Sequence, residues 1–302
     1  MQSHERYTTI LTICQAFSSA VFNSEGNVTR RGPKPKASDL EIVALSIYQS
    51  FREIESESYF FHLIEQELPD LAKRVGTRRN YNQRRKAVFP YAEKLRGEMA
   101  KAMRKGNPEN IFVIDSMPVE VCRFARAKNS RAFREDFSSA PTYGYCAAHK
   151  QHYFGYKLHV VCTPDGIVEY FDLTPANLAD IGLLPEVRRR FSECVLLGDA
   201  GYLNHDTAMD LFEYARIQLI VPYRKNMIQV QKLPKGFGPA RKRVEVVFSQ
   251  LVSHLQVRRM LAKRQKGLFG RVVSKVCLFT LLQYVNFIND NPISRVRYTL
   301  VA

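Results

Sequence analysis

Over its first hundred residues the chain repeats apolar positions with a helical period. Tyr7 to Phe22 keeps that spacing until Asn23-Ser24-Glu25-Gly26-Asn27 breaks it. Arg30-Arg31-Gly32-Pro33-Lys34-Pro35-Lys36 carries prolines and a glycine that exclude helix and strand interior, so it predicts an extended basic connector. Ser38, with Glu41 three residues on, forms a capping box that opens a helix through Leu40, Ile42, Val43, Leu45, Ile47 and Tyr48. A second helix is predicted from Glu55 to Leu68. The run from Thr77 to Lys86 then sets Arg78, Arg79, Arg84 and Arg85 around Tyr81 and Asn82. Short helices followed by a basic helix are the pattern of a helix–turn–helix module, and a solvated basic face is the alternative.

The period changes at residue 110. Ile111-Phe112-Val113-Ile114 predicts a buried strand ending at Asp115. Tyr156 to Cys162 alternates as a strand, Pro164-Asp165-Gly166 turns the chain, and Ile167 to Leu173 returns as the antiparallel partner. Cys194 to Gly198 is a further apolar run that stops at an aspartate, Asp199, and Ile217 to Val221 is a short strand closed by Pro222. A basic loop rich in proline and glycine, residues 224–239, leads to a helix from about Ala240 to Val257. Strands and helices mixed in this order predict an α/β domain of three layers.

Composition narrows the partners. The chain has 302 residues, a 45% apolar fraction, a net charge of +16 and a pI of about 9.7. An ordinary apolar fraction indicates a globular protein, and the charge points to a polyanion, with DNA ahead of an anionic membrane because the cations do not share one amphipathic helix. The six cysteines are scattered and form no disulfide framework, which with the absence of a signal peptide predicts a cytoplasmic compartment. The apolar stretch from Val276 to Val285 is too short to span a bilayer. Cys146-x2-His149-x2-His152, with Cys162 beyond, holds zinc-ligand residue types without the paired spacing of zinc sites.

The chemistry lies in the acids. Two apolar strands that end in aspartates, if neighbours, bring Asp115 and Asp199 to a common sheet edge, where carboxylates bind Mg²⁺ while leaving room for phosphate oxygens. Each aspartate could instead simply cap the turn that follows it. Glu245 sits on a helix whose apolar face is Val244, Val247, Phe248 and Leu251, at the border of that face, and an ion pair with Arg241 one turn before it is the alternative role. Lys157 and His159 point to one face of the strand expected beside Asp115. Arg258, Arg259, Lys263, Arg264 and Lys266 form a basic cluster after the glutamate helix, suited to DNA-backbone contacts.

These residues resemble a known family. Ile114-Asp115-Ser116, Gly198-Asp199-Ala200-Gly201-Tyr202 and Arg241-x3-Glu245-x2-Phe248-Ser249-Gln250-Leu251 are similar to the three acidic motifs of DDE transposases from bacterial insertion sequences. Thr174-Pro175-Ala176-Asn177-x2-Asp180 and Tyr153-Phe154-Gly155-Tyr156-Lys157-Leu158-His159 resemble the family as well, and the likeness is strong over about residues 110–285 and loose over 1–100. Relatives often carry a Tyr before the Arg and a basic residue seven positions after the Glu. Here Gly238 and Val252 stand there, which leaves the role to Gln256, Arg258 or Arg259.

The resemblance implies a ribonuclease-H-like mixed sheet flanked by helices (residues 106–290), after a helical DNA-binding domain (1–105) and before a short tail (291–302). It implies a catalytic triad of Asp115, Asp199 and Glu245 holding two Mg²⁺ or Mn²⁺ ions. It further implies that the enzyme binds the inverted repeats at its element's ends, hydrolyses a phosphodiester there and joins the freed 3′-hydroxyl to target DNA. Double-stranded DNA is the expected partner, a homodimer the expected form on it, and Arg78, Arg79, Arg84, Arg85, Lys157, His159, Arg241, Arg258 and Arg259 the expected contacts. A nuclease that cuts without joining shares every one of these residues. A regulator that has lost cutting shares the fold.

Overall fold

A computed structural model describes residues 2–104, 110–130, 132–133, 139–147, 150–223, 233–258, 260–297 and 299. The chain divides into two compact units, one made of residues 1–103 with 251–302, the other of residues 104–250.

The first unit is helical. Its helices are α1 (Gln2–Ala16), α2 (Asp39–Phe51), α3 (Glu57–Glu67), α4 (Pro69–Val75) and α5 (Arg78–Met103). Ser38 accepts from the Glu41 backbone N–H while Glu41 accepts from that of Ser38, so the predicted capping box starts α2. The basic run opens α5 as expected, but α5 extends for 26 residues. The division of the chain departs from the expected boundary at residue 290. Residues from 251 onward belong to the helical unit, because a long apolar helix (Gln265–Ile288, α9 below) packs on α2 and α5 and buries Val272, Val276, Leu278 and Phe279. This helix is also long and apolar enough to cross a bilayer, longer than the stretch recognised in the sequence, yet most of it is enclosed by protein.

The second unit holds a mixed sheet. Its strands are β1 (Ile111–Glu120), β2 (Thr142–Cys146), β3 (Gln151–Cys162), β4 (Val168–Pro175), β5 (Cys194–Leu197) and β6 (Ile217–Ile220). The helices are α6 (Leu184–Arg190), α7 (His205–Ala215) and α8 (Phe237–Ser253), with α9 (Gln265–Ile288) following in the chain. β4, β3 and β1 run antiparallel to their neighbours, whereas β1, β5 and β6 are parallel, so one half of the sheet is antiparallel and the other parallel. This mixed α/β fold is the one the resemblance implied. Phe112, Ile114, Val161 and Leu196 on one sheet face form a core with Leu184 and Val187 of α6 and Leu211 of α7.

β1 corrects the expectation that its strand ends at Asp115. It continues to Glu120, held by eight antiparallel pairs with β3 from Val113↔Cys162 to Glu120↔Gly155. Pro118 is tolerated there because β5 leaves β1 after Val113, so the proline's missing N–H falls where no β5 ladder runs. Gly155 has a steric reason. A Cβ on it would stand 2.1 Å from the Val119 carbonyl oxygen, so only glycine lets β3 come this close to β1.

Candidate active site

The parallel pairing positions the two aspartates. Val113 is opposite Leu197 in the last β1–β5 pair, and Asp115 and Asp199 each lie two residues further on. Both aspartates therefore stand at the same level, Asp115 within β1 just past its last pair with β5 and Asp199 just past the end of β5, at the carboxyl edge of the parallel pairing where α/β sheets place their ligands. Asp199 also accepts the Gly201 backbone N–H at 2.8 Å and caps the short 3-10 turn Ala200–Tyr202, so the capping role and the pairing with Asp115 coexist. Gly198 leaves room for the packing of this turn, since a Cβ there would press on the Tyr202 ring at 3.1 Å and on Ile114 at 3.3 Å.

Asp115 is half-buried and its carboxyl is pushed up to about 6. Burial is the main cause. The negative charges of Asp199 and Asp180 add to it, while the Ser116 N–H at 2.8 Å and the Arg241 guanidinium favour the ionised form.

Asp180, which the sequence placed in a motif without a role, joins this group. It opens the 3-10 turn Asp180–Leu183 after β4, and its Oδ1 accepts from Ser116 Oγ and from Lys157 Nζ, both at 3.0 Å. Lys157 donates as well to the Leu178 carbonyl at 2.8 Å. A side chain on Gly201 would come within 2.9 Å of Asp199 Oδ1 and 3.2 Å of Asp180 Oδ2, so both carboxylates border the same glycine. The motif's position, directly after the second hairpin strand and upstream of Asp199, was the signal available for it. Tyr202 completes the group. Its ring is fully buried, its hydroxyl has no hydrogen-bond partner, and burial followed by the charges of Asp180, Asp115 and Asp199 raises it far above the ordinary phenol range.

α8 lies over the β3–β4 turn. Arg243 Nε donates to the Pro164 carbonyl at 3.3 Å, and Val244, Val247 and Phe248 form its buried face. Arg241 and Glu245, one turn apart, make no ion pair with each other, and Arg241 instead acts electrostatically on Asp115. Glu245 is exposed on this helix. Among the described residues, no three His, Cys, Asp or Glu side chains are drawn together as a ready metal cage. Of the expected triad, then, Asp115 and Asp199 stand together and Glu245 stands on the helix that carries Arg241.

The expected DNA contacts separate. Arg78 and Arg79 are exposed at the start of α5. Arg84 is turned inward, onto the Ala37 carbonyl and Asp39, each at 2.7 Å. Arg85 is buried against Gln49 and Glu57, at 3.0 and 2.5 Å. These two correct the reading of the whole run as a DNA face: α5 is amphipathic, and its inner arginines neutralise acids of the helical unit. His159 needs the same correction. It is fully enclosed, its Nε2 lies 2.8 Å from Thr174 Oγ1, and burial, aided by Lys157, lowers it to about 4 against the pull of Asp180. Lys157 stays at the site through Asp180, and Arg241 through Asp115. Arg258 is half-buried, and Arg259 lies outside the described residues, as does His149 of the Cys/His group. All six cysteines are free thiols, and Cys162 is buried.

A family model described as the transposase DDE domain matches residues 106–281. No curated protein matches the chain.

Proposed function

The chain belongs to the DDE transposase family, and we propose from that premise that Asp115, Asp199 and Glu245 are the acids with which it cuts and rejoins DNA. As a DDE transposase it is a polynucleotidyl transferase and endonuclease that acts on DNA, and its family works with divalent metal ions. The observation that carries the residue assignment is the register of β1 and β5, which puts Asp115 and Asp199 side by side just beyond the last β1–β5 pair. The donor set fits the ion. It is made of hard carboxylate oxygens, suited to Mg²⁺ or Mn²⁺, and a dication would offset both the burial of the Asp115 carboxylate and the neighbouring charges of Asp199 and Asp180.

In this reading two such ions, when bound, polarise the scissile phosphate and assist the attacking and leaving oxygens. The chain's own residues do the rest. Asp115 and Asp199 would hold the cations, and Glu245 would join them from α8, the helix that also carries Arg241. Lys157, oriented by Asp180, and Arg241 turn positive charge toward the phosphate. Water first opens the phosphodiester at each end of the element's inverted repeats, and the freed 3′-hydroxyl then attacks target DNA. No covalent protein intermediate is involved. Two subunits hold the two ends.

Asp115→Asn, Asp199→Asn and Glu245→Gln are each expected to abolish cleavage of an element-end duplex while leaving its binding within about two-fold, read by gel assay and fluorescence anisotropy. Full cleavage by any of the three removes that residue from the set. The nuclease reading is separated by supplying pre-cut ends with a free 3′-hydroxyl: joined product supports transposition, and hydrolysis without joining supports a nuclease.

A further inference from the structure

β3 outruns β1. Its pairing with β1 ends at Gly155↔Glu120, so the hairpin of β2 with Gln151–Phe154 projects past β1 as a two-stranded ribbon. Paired residues share a face, and the register sets Tyr143 beside Phe154 and Tyr145 beside His152. Their ring centroids are 5.0 and 4.9 Å apart. Phe124, from the 3-10 turn Phe124–Asn129 after β1, extends this row, 5.7 Å from Tyr143 and 6.1 Å from His152. Phe124, Tyr143 and Tyr145 are 47%, 51% and 53% exposed.

The opposite face of the ribbon already anchors it. There Tyr153 is buried, and a Cβ on Gly144 would come within 2.8 Å of its ring and of Ala176. The exposed row is therefore surplus to holding the hairpin, and contiguous exposed rings mark a binding surface. Cations surround it in the chain. Arg123, Arg126, Lys128 and Lys150 are exposed and make no ion pair among the described residues. A second copy of this chain would bring its own +16 against these charges, whereas a nucleic acid complements them.

We infer that the row Phe124, Tyr143, Phe154, Tyr145 and His152 is a stacking platform for unpaired bases of a DNA strand, with Arg123, Arg126, Lys128 and Lys150 on its phosphates. Aromatic rings take any base because every base has a π-face, and a basic surround tracks the backbone. The platform is on the sheet face of Asp115. Asp115 pairs with Val160, and alternate residues back along β3 lead from Val160 to Phe154, a run of about 20 Å at roughly 3.3 Å per residue. Val160, Leu158 and Tyr156, which lie between Asp115 and the platform on that face, are fully buried, so the platform is a surface separate from the acid pair. The inference goes beyond the acid assignment and does not depend on it.

The test uses the full chain at one fixed salt concentration, with fluorescein-labelled oligothymidylate and a matched duplex read by anisotropy. Tyr143→Ala/Tyr145→Ala is expected to weaken oligothymidylate binding about 25-fold or more, near five-fold for each ring, and to leave duplex binding within about two-fold. Tyr143→Phe/Tyr145→Phe keeps the rings and is expected to bind as the unaltered chain does. Phe124→Ala alone is expected to lose about five-fold, which preserves the test should the double variant melt early. Unchanged oligothymidylate binding in the alanine variants, or an equal loss for both probes, overturns the platform. So does a shift from dimer to monomer in sedimentation with oligothymidylate affinity intact, which assigns the rings to a second copy. Asp115→Asn is expected to bind both probes normally, and cleavage by that variant would sink the acid assignment while leaving the platform standing.

Discussion

At the scale of single residues, Asp115 is a carboxyl that burial, and after it the charges of Asp199 and Asp180, hold toward its protonated form. Burial with Asp199 and Asp180 nearby raises its carboxyl to about 6 in the folded chain, above the ordinary carboxylate range it regains on unfolding. The folded state therefore holds the proton more tightly, so this group favours folding below about pH 4 and progressively opposes it as pH rises toward 6. With divalent ions chelated, Asp115→Asn is expected to stabilise the protein by about 1–3 kcal/mol at pH 7–8, with the gain fading toward pH 4. Thermal melts across that range check it, and a pH-independent difference would show that the charge is not the cause. Asp115 and Asp199 were legible in the sequence because each follows an apolar run. The part played by Asp180 was not, since hydrogen bonds to Ser116 and Lys157 join residues 64 and 23 positions apart. Arg85 and His159 were misplaced for the converse reason: a basic or polar side chain in a sequence does not show whether an acid or a threonine awaits it inside.

Among the elements, β1 and β3 matter most, because their pairing holds Asp115 in a continuous strand and sets Ser116 and Lys157 on one face, where both reach Asp180. The hairpin of β3 and β4 was plain from alternation and its Pro-Asp-Gly turn. The second half of β1 was not, because Ser116 and Pro118 look like breakers until the partner strand is known. β2 was overlooked as well; its alternation of Tyr143 and Tyr145 with Gly144 leaves one face exposed and lacks the apolar face that marks a half-buried strand. Gly155 ties these strands together at their crossing point. Gly155→Ala forces a methyl group against the Val119 carbonyl, a backbone atom that cannot rotate away. It is expected to destabilise by about 1–3 kcal/mol or more in urea titration. It is also expected to lower cleavage although every acid is present. A variant as stable and active as the unaltered chain would show that β1 and β3 can separate locally without moving Asp115.

For the molecule as a whole, the chain order and the physical units differ. Fold class and the acidic core were legible because strands and helices each leave a local period. A helix that completes a unit whose first segment ended about 160 residues earlier leaves none, since α9 is apolar on nearly all sides and shows no stripe pointing to its partner. What binds it is partly apolar burial on α2 and α5 and partly an enclosed charge network. Arg271 pairs with Glu55 at 2.7 Å and Glu57 at 3.2 Å, Lys275 pairs with Glu55 at 2.7 Å, and Arg85 shares Glu57. Removing one side of a buried ion pair typically costs 3–5 kcal/mol, because the remaining charge stays without a counterion. A chain ending at residue 250 loses both cations and the apolar cover together, more than a unit of marginal stability tolerates. Its α2 and α5 amides are expected to exchange hydrogen freely while those of β1, β3 and β5 stay protected. Undiminished protection of α2 and α5 in that truncated chain would mean that the first hundred residues hold their fold unaided, and that α9 is an attachment to the helical unit instead of part of its core.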